Sequence, residues 1–274
     1  MIIHQSTSML DVPSLARRAA LDGGFDTIAL HDAVMADLAC INAVETGGAA
    51  SSNLPLAFPF TVAAWNLERC LFVEDSAAHL AIHDPRLVLL SEMDDGMART
   101  GQRHTTADLA GCLGMNYAYG VEFLEMGLGS DTEREFCVDD ANCKGFHGNG
   151  LMADMVLGEP FMIRLWGERL WRNDPDQPRI GERCAVGAVI ETQAGPFVAV
   201  SLHLESATTA DYRERQMREL IDTIEVELPG LPVLIGGDLN TGNHAGGDFE
   251  AEGLFAMSAA RGFERHGGPI DEMT

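Results

Sequence analysis

Asp238 and Asn240 are the residues whose type and spacing first suggest chemistry. They stand in LPVLIGGDLNTGN, from Leu231 to Asn243. The apolar run ending at Ile235 reads as a buried strand, and Gly236-Gly237 as its break. If extended backbone persists to Asn240, both side chains point to one side. A carboxylate and an amide at a strand's C-terminal end, with glycines leaving room for a ligand, suit a hydrated hard cation. They equally suit a water held against phosphorus. Gly, Asp and Asn also favour turns, so an ordinary strand-to-turn corner is the alternative.

Two further strand ends carry candidates. TVAAWNL (Thr61 to Leu67) reads as a strand holding Asn66, the stretch from Glu74 to His83 as a helix, and LVLLSEM (Leu87 to Met93) as a second strand holding Glu92. Strand, helix and strand in about 35 residues form a βαβ crossover with parallel strands. Asn66 and Glu92 then share the sheet edge where α/β proteins place their sites. An acid ending a buried strand needs a partner. It is either salt-bridged to an arginine such as Arg99 or Arg103, or a metal ligand. His203 ends the nearly apolar strand PFVAVSLHL, as a satisfied core residue or a catalyst. Arg99, Arg103, His104 and Arg213 form either a phosphate-binding patch or ion-paired surface. His147 and Asn149 fall at a loop-to-strand junction.

The elements that position these residues are read from periodicity. Residues 1–60 read as a mostly helical N-terminal extension, with a helix stopped at Gly23-Gly24 and another from Asp32 to Val44. Gly127 to Gly145 reads as an acidic surface loop, and Gln193-Ala194-Gly195 as a hairpin turn. Thr208 to Ile224 reads as an amphipathic helix, and Glu250 to Arg261 as the last one. No run of about 18 apolar residues reads as membrane-spanning. The N-terminus lacks the pattern of a secretory signal, so the cytoplasm is expected. The net charge is -24 and Lys144 is the only lysine, which disfavours sequence-independent nucleic-acid binding. The six cysteines include no C-x-x-C pair, against a structural zinc site.

Five short blocks occur in order on successive strand ends: W-N-L-E, L-S-E, H-G-N, S-L-H-L and G-G-D-L-N. This ordered set resembles the endonuclease/exonuclease/phosphatase superfamily, the deoxyribonuclease- and sphingomyelinase-like metal-dependent phosphoesterases. The resemblance runs from about Val62 to the end of the chain. It implies an α/β fold, a four-layer α/β/β/α sandwich of two packed mixed sheets over residues 61–274. It also implies roles. Glu92, with Asn66 beside it, matches the Mg²⁺- or Mn²⁺-binding position. Asp238 and Asn240 match the pair that orients the attacking water and holds phosphoryl oxygens. His203 matches the histidine that contacts the phosphate or protonates the leaving oxygen. Asn149 is carried over as a substrate neighbour, with Arg99 and Arg103 as a local phosphate patch.

The chain departs from the pattern in two places. The family's final Asp-His pair has no counterpart after Asn240, where His244, His266 and Asp271 stand in other contexts, so the domain reads as C-terminally incomplete. Ala153-Asp154 also replaces a serine-arginine pair. The implied activity is metal-dependent hydrolysis of a phosphodiester rather than a monoester, by in-line water attack. The alternative is a catalytically impaired member acting as a binding protein. The acidic surface favours a small phosphoester or lipid head group over nucleic acid.

Overall fold

The computed structural model describes residues 2–21, 24–50, 52, 54–174, 177–242, 248 and 251–267. In chain order the elements are β1 (Ile2–Ile3), β2 (Ser6–Thr7), α1 (Leu15–Leu21), α2 (Ile28–Asp37), β3 (Val44–Gly48), β4 (Thr61–Arg69), α3 (Val73–His83), β5 (Pro85–Asp95), α4 (Thr105–Leu113) and β6 (Asn116–Glu125). There follow α5 (Asp131–Arg134), β7 (Phe146–Ala153), β8 (Gly158–Arg164), β9 (Arg179–Gly181), β10 (Cys184–Ile190), β11 (Phe197–His203), α6 (Ala210–Glu227), β12 (Val233–Asp238) and α7 (Gly253–Ala260).

Side-chain alternation along the strands sets the layers. In β5, Leu87 and Leu89 turn to one core while Val88 and Leu90 turn to another. In β10, Val186, Ala188 and Ile190 join the Leu87 core, and Ala185 faces away. That shared core lies between two mixed sheets. One sheet has the order β1-β8-β10-β11-β12, and the other β2-β3-β6-β7-β5-β4 with β9 on β6. Gly120 is required at the seam, because a Cβ there would meet Met162 Sδ and Val186 Cγ2, each at 2.8 Å. The outer core of the larger sheet takes Val34 and Met35 of α2, Leu80 of α3 and Leu109 of α4. The outer core of the smaller sheet takes Met217, Leu220, Ile221 and Ile224 of α6 and Leu254 of α7. Helices outside and two sheets inside make the expected four-layer α/β/β/α sandwich.

The βαβ crossover is present: β4 and β5 are parallel neighbours joined by α3. Three sequence expectations are corrected. Residues 1–60 are not a helical appendage, because β1 pairs with β8 in one sheet and β3 with β6 in the other. The second helix ends at Asp37, and Val44 already begins β3. His147 and Asn149 lie inside the buried strand β7, not at its entrance. Among the described residues, no helix is long and apolar enough to cross a membrane.

Candidate active site

Strand ends from both sheets meet at one end of the sandwich. In the smaller sheet the parallel register of β11 and β12 sets His203 beside Asp238. In the larger sheet the parallel register of β4 and β5 sets Asn66 beside Ser91, with Glu92 next in a local bulge. Close approach comes from Gly236, whose Cβ would meet Leu89 Cδ1 at 2.7 Å. The seam is closed by Asn66. Its Nδ2 donates to Glu92 Oε1 at 3.0 Å and to Asp238 Oδ2 at 2.9 Å. Its carbonyl accepts the Glu68 N–H at 3.0 Å. These three partners turn the amide's donors to the carboxylates and its oxygen away, so Asn66 as placed orients Glu92 and Asp238.

The step from Asp238 to Asn240 is a turn, not continued strand. β12 ends at Asp238, and Asn240 is left-handed with φ 49°. The Asn240 N–H donates to Asp238 Oδ1 at 2.8 Å, and its side-chain Nδ2 donates to the Leu204 carbonyl at 3.0 Å. An Asp accepting from the backbone two residues on is a common turn lock. Here it also leaves Asp238 held at both oxygens.

His203 is buried at the floor of this group. Its Nε2 lies 3.8 Å from Glu92 Oε1, and its Nδ1 lies 3.3 Å from Glu122 Oε2. Arg183 Nη1 sits 2.8 Å from the same Nδ1 and 3.3 Å from Glu122 Oε2. Burial alone would raise the Glu122 pKa, but Arg183 and His203 outweigh it and hold the carboxyl down to about 2. Arg183 continues to Glu205, at 3.2 Å through Nε. Glu122, Arg183 and Glu205 were not singled out in the sequence. The signal was there: Glu122 interrupts the apolar run around Val121 and Phe123, as Glu92 interrupts its own.

Glu92 does have an arginine partner, but it is Arg69 rather than Arg99 or Arg103. Arg69 Nη1 rests on Glu92 Oε2, and Nε and Nη2 reach Glu133 Oε1 at 3.1 and 3.0 Å. Glu68, Arg69 and Cys70 are all left-handed, with φ 46°, 74° and 55°, and Glu92 has φ 57°. Left-handed residues other than glycine cost energy and gather where surroundings over-determine them.

The arginine patch is overturned as a phosphate site. Arg99 is 3% exposed and paired with Asp94 at 2.8 Å, Glu125 at 3.0 Å and Glu133 at 2.7 Å. Its burial among acids leaves no donor for a substrate. Arg103 spends its fork on Glu74 at 2.7 Å and Asp108 at 2.6 Å. His104 accepts the Ala107 N–H to cap α4, and Arg213 is buried against Glu252. Asn149 is fully buried, and its Nδ2 donates to the Cys184 carbonyl at 2.7 Å. It supports the core beneath the site and does not reach its opening. His244 and Asp271 lie outside the described residues, and His266 is exposed beside Glu264.

One compact cluster lies elsewhere. Glu45, Asp95 and His104 have donor atoms all within 4.8 Å of one another. Tyr117 OH and the Leu10 N–H already donate to Glu45, and Lys144 to Asp95. At the main site, Glu92 and Asp238 offer hard oxygen donors brought together by one amide, and the Arg69 guanidinium already stands at Glu92 as a cation. That donor set suits Mg²⁺ or Mn²⁺.

No family model matches the chain, and no curated protein matches it. The chain is similar to several solved structures. One is an endonuclease/exonuclease/phosphatase from Beutenbergia cavernae (19% identity, 66% of this chain and 47% of that one, TM-score 0.49), so the match spans about half of that protein's length. Another is the human Nocturnin catalytic domain (17% identity, 69% and 67%, TM-score 0.46). A third is the mannosyl-6-phosphatase Bt3783 of Bacteroides thetaiotaomicron (17% identity, 67% and 66%, TM-score 0.42).

Proposed function

We propose that the chain is a divalent-metal-dependent phosphoesterase of the endonuclease/exonuclease/phosphatase type, hydrolysing a diester in preference to a monoester. The observation that carries this reading is the single Asn66 amide bridging Glu92 and Asp238 across two sheets, with His203 3.8 Å from Glu92. The apolar core between the sheets brings these strand ends together, and the polar groups of residues distant in sequence converge at its edge. Mg²⁺ or Mn²⁺ held at Glu92 would supply neutralisation of the phosphoryl charge. Asp238 is fixed by Asn66 and by the Asn240 N–H, and its remaining lone pairs accept the hydrogens of an attacking water. His203 presents Nε2 toward Glu92 and protonates the leaving oxygen. Glu122 stays anionic across the ordinary pH range, and with Arg183 it fixes the position of the ring. The net charge of -24 favours a small phosphoester or a lipid head group over a long polyanion.

A second reading is a binding protein with an impaired site, and the arginine seated on Glu92 is the observation that favours it. Hydrolysis of bis-p-nitrophenyl phosphate and p-nitrophenyl phosphate separates the two. The esterase reading expects p-nitrophenol release with Mg²⁺ or Mn²⁺, faster from the diester and absent with EDTA. No release with any divalent metal would favour the binding protein.

A further inference from the structure

Arg69 has a place in the site that the proposed reaction does not use. Its guanidinium rests on Glu92 Oε2, while Glu92 Oε1 accepts from Asn66. A divalent cation and a guanidinium repel each other at one carboxylate, so a metal takes Oε2 only when Arg69 leaves. Departure strands no acid. Glu133, the second partner of Arg69, keeps Arg99 at 2.7 Å. The rest of the fork, Nε and Nη2, donates to Glu133, an acid that Arg99 also neutralises, so Arg69 can give up both partners from its left-handed turn without stranding either acid. Its side chain is 20% exposed, against 1% for the locked Arg99. The planar fork that fits a carboxylate also fits a phosphate bidentately.

Resting on the metal-dependent reading of the site, we propose that Arg69 is a displaceable counter-cation. A divalent metal at Glu92 expels it, and the freed fork takes the phosphoryl oxygens of the substrate. Metal binding then makes the site more positive, and phosphate binds well only after metal.

The test needs no turnover. Mn²⁺ binding to the 274-residue chain is followed by the electron paramagnetic resonance of free Mn²⁺ in wild type, Arg69→Gln, Arg69→Lys and Glu92→Gln. Inorganic phosphate binding at saturating Mn²⁺ is followed by calorimetry. Arg69→Gln is expected to bind Mn²⁺ about tenfold tighter and phosphate about tenfold weaker, one decade for each ion pair lost. Opposite signs are the signature, since a merely structural arginine would weaken both. Arg69→Lys, which keeps the charge and loses the fork, is expected to bind phosphate more weakly with no loss of Mn²⁺ affinity. Arg69→Gln that weakens both, or leaves Mn²⁺ affinity unchanged, overturns the counter-cation. So does unchanged phosphate affinity in Arg69→Lys. If Glu92→Gln abolishes Mn²⁺ binding while Arg69→Gln gains none, the counter-cation falls and the metal reading stands. Mn²⁺ binding absent from wild type and Arg69→Gln alike overturns that reading as well.

Discussion

Three carboxylates, Asp94, Glu125 and Glu133, surround the one guanidinium of Arg99, and His147 Nδ1 adds a contact to Asp94 at 2.9 Å. Burial would push these acids toward protonation, yet Arg99 keeps Asp94 low and, with Arg179, holds Glu125 down to about 2. Removing one partner of such a group leaves uncompensated buried charge. Arg99→Met is therefore expected to lose about 3–5 kcal/mol of stability in denaturant titration. A loss below about 1 kcal/mol would show that the acids protonate or relax without it. At this scale the sequence was half legible. An acid closing an apolar strand announced that Glu92 needed a partner. The identity of that partner depends on where the left-handed turn 68–70 aims Arg69, and nothing in W-N-L-E-R dictates three positive φ angles in a row. The burial of Arg99 was illegible for the same reason: two of its three acids, Glu125 and Glu133, arrive from β6 and the 127–145 loop.

Among the elements, β12 carries the most constraint per residue. Gly237 adopts φ 137°, and a Cβ there would collide with the Leu202 carbonyl of the parallel neighbour β11. Backbone cannot give way as a flexible side chain can. Gly237→Ala is expected to cost about 1–3 kcal/mol. Because Asp238 is the next residue, it is also expected to lower hydrolysis well beyond what the stability loss explains. Melting temperature and turnover measured on the same sample check this, and an unchanged rate would mean that Asp238 tolerates displacement. The glycine pair was visible in the sequence as a break in the strand. Its reason, close approach to Leu89 on one side and Leu202 on the other, is tertiary. The long periodic elements α3, α6, β5 and β11 were legible because each carries a buried face of its own. β1, β2 and β3 were not, because two to five residues hold too little pattern.

Across the whole molecule, buried charge sets the response to acid. Burial lowers the pKa of His31 and of His147, despite the acids beside them. The unfolded chain takes up those protons first, so stability declines as pH falls below about 6.5. Glu122 and Glu125 are depressed from 4.5 to about 2, so their contribution is complete above the unfolded value and is lost as pH drops from 4.5 toward 2. Urea midpoints measured from pH 8 to pH 3 are expected to fall gently below 6.5 and steeply below 4.5. A curve flat to pH 3 would mean these carboxylates are not charged in the folded protein. The two-sheet architecture was legible from the order of strand-end motifs, while the meeting of Asn66 with Asp238 across 172 residues was not. That meeting is the centre of the account, and it is tested most directly by metal-dependent hydrolysis of bis-p-nitrophenyl phosphate in wild type, Glu92→Gln and Asp238→Asn at saturating Mn²⁺. Both variants are expected to melt within a few degrees of wild type and to lose about a hundredfold or more in kcat. Wild-type activity in either folded variant would contradict the account.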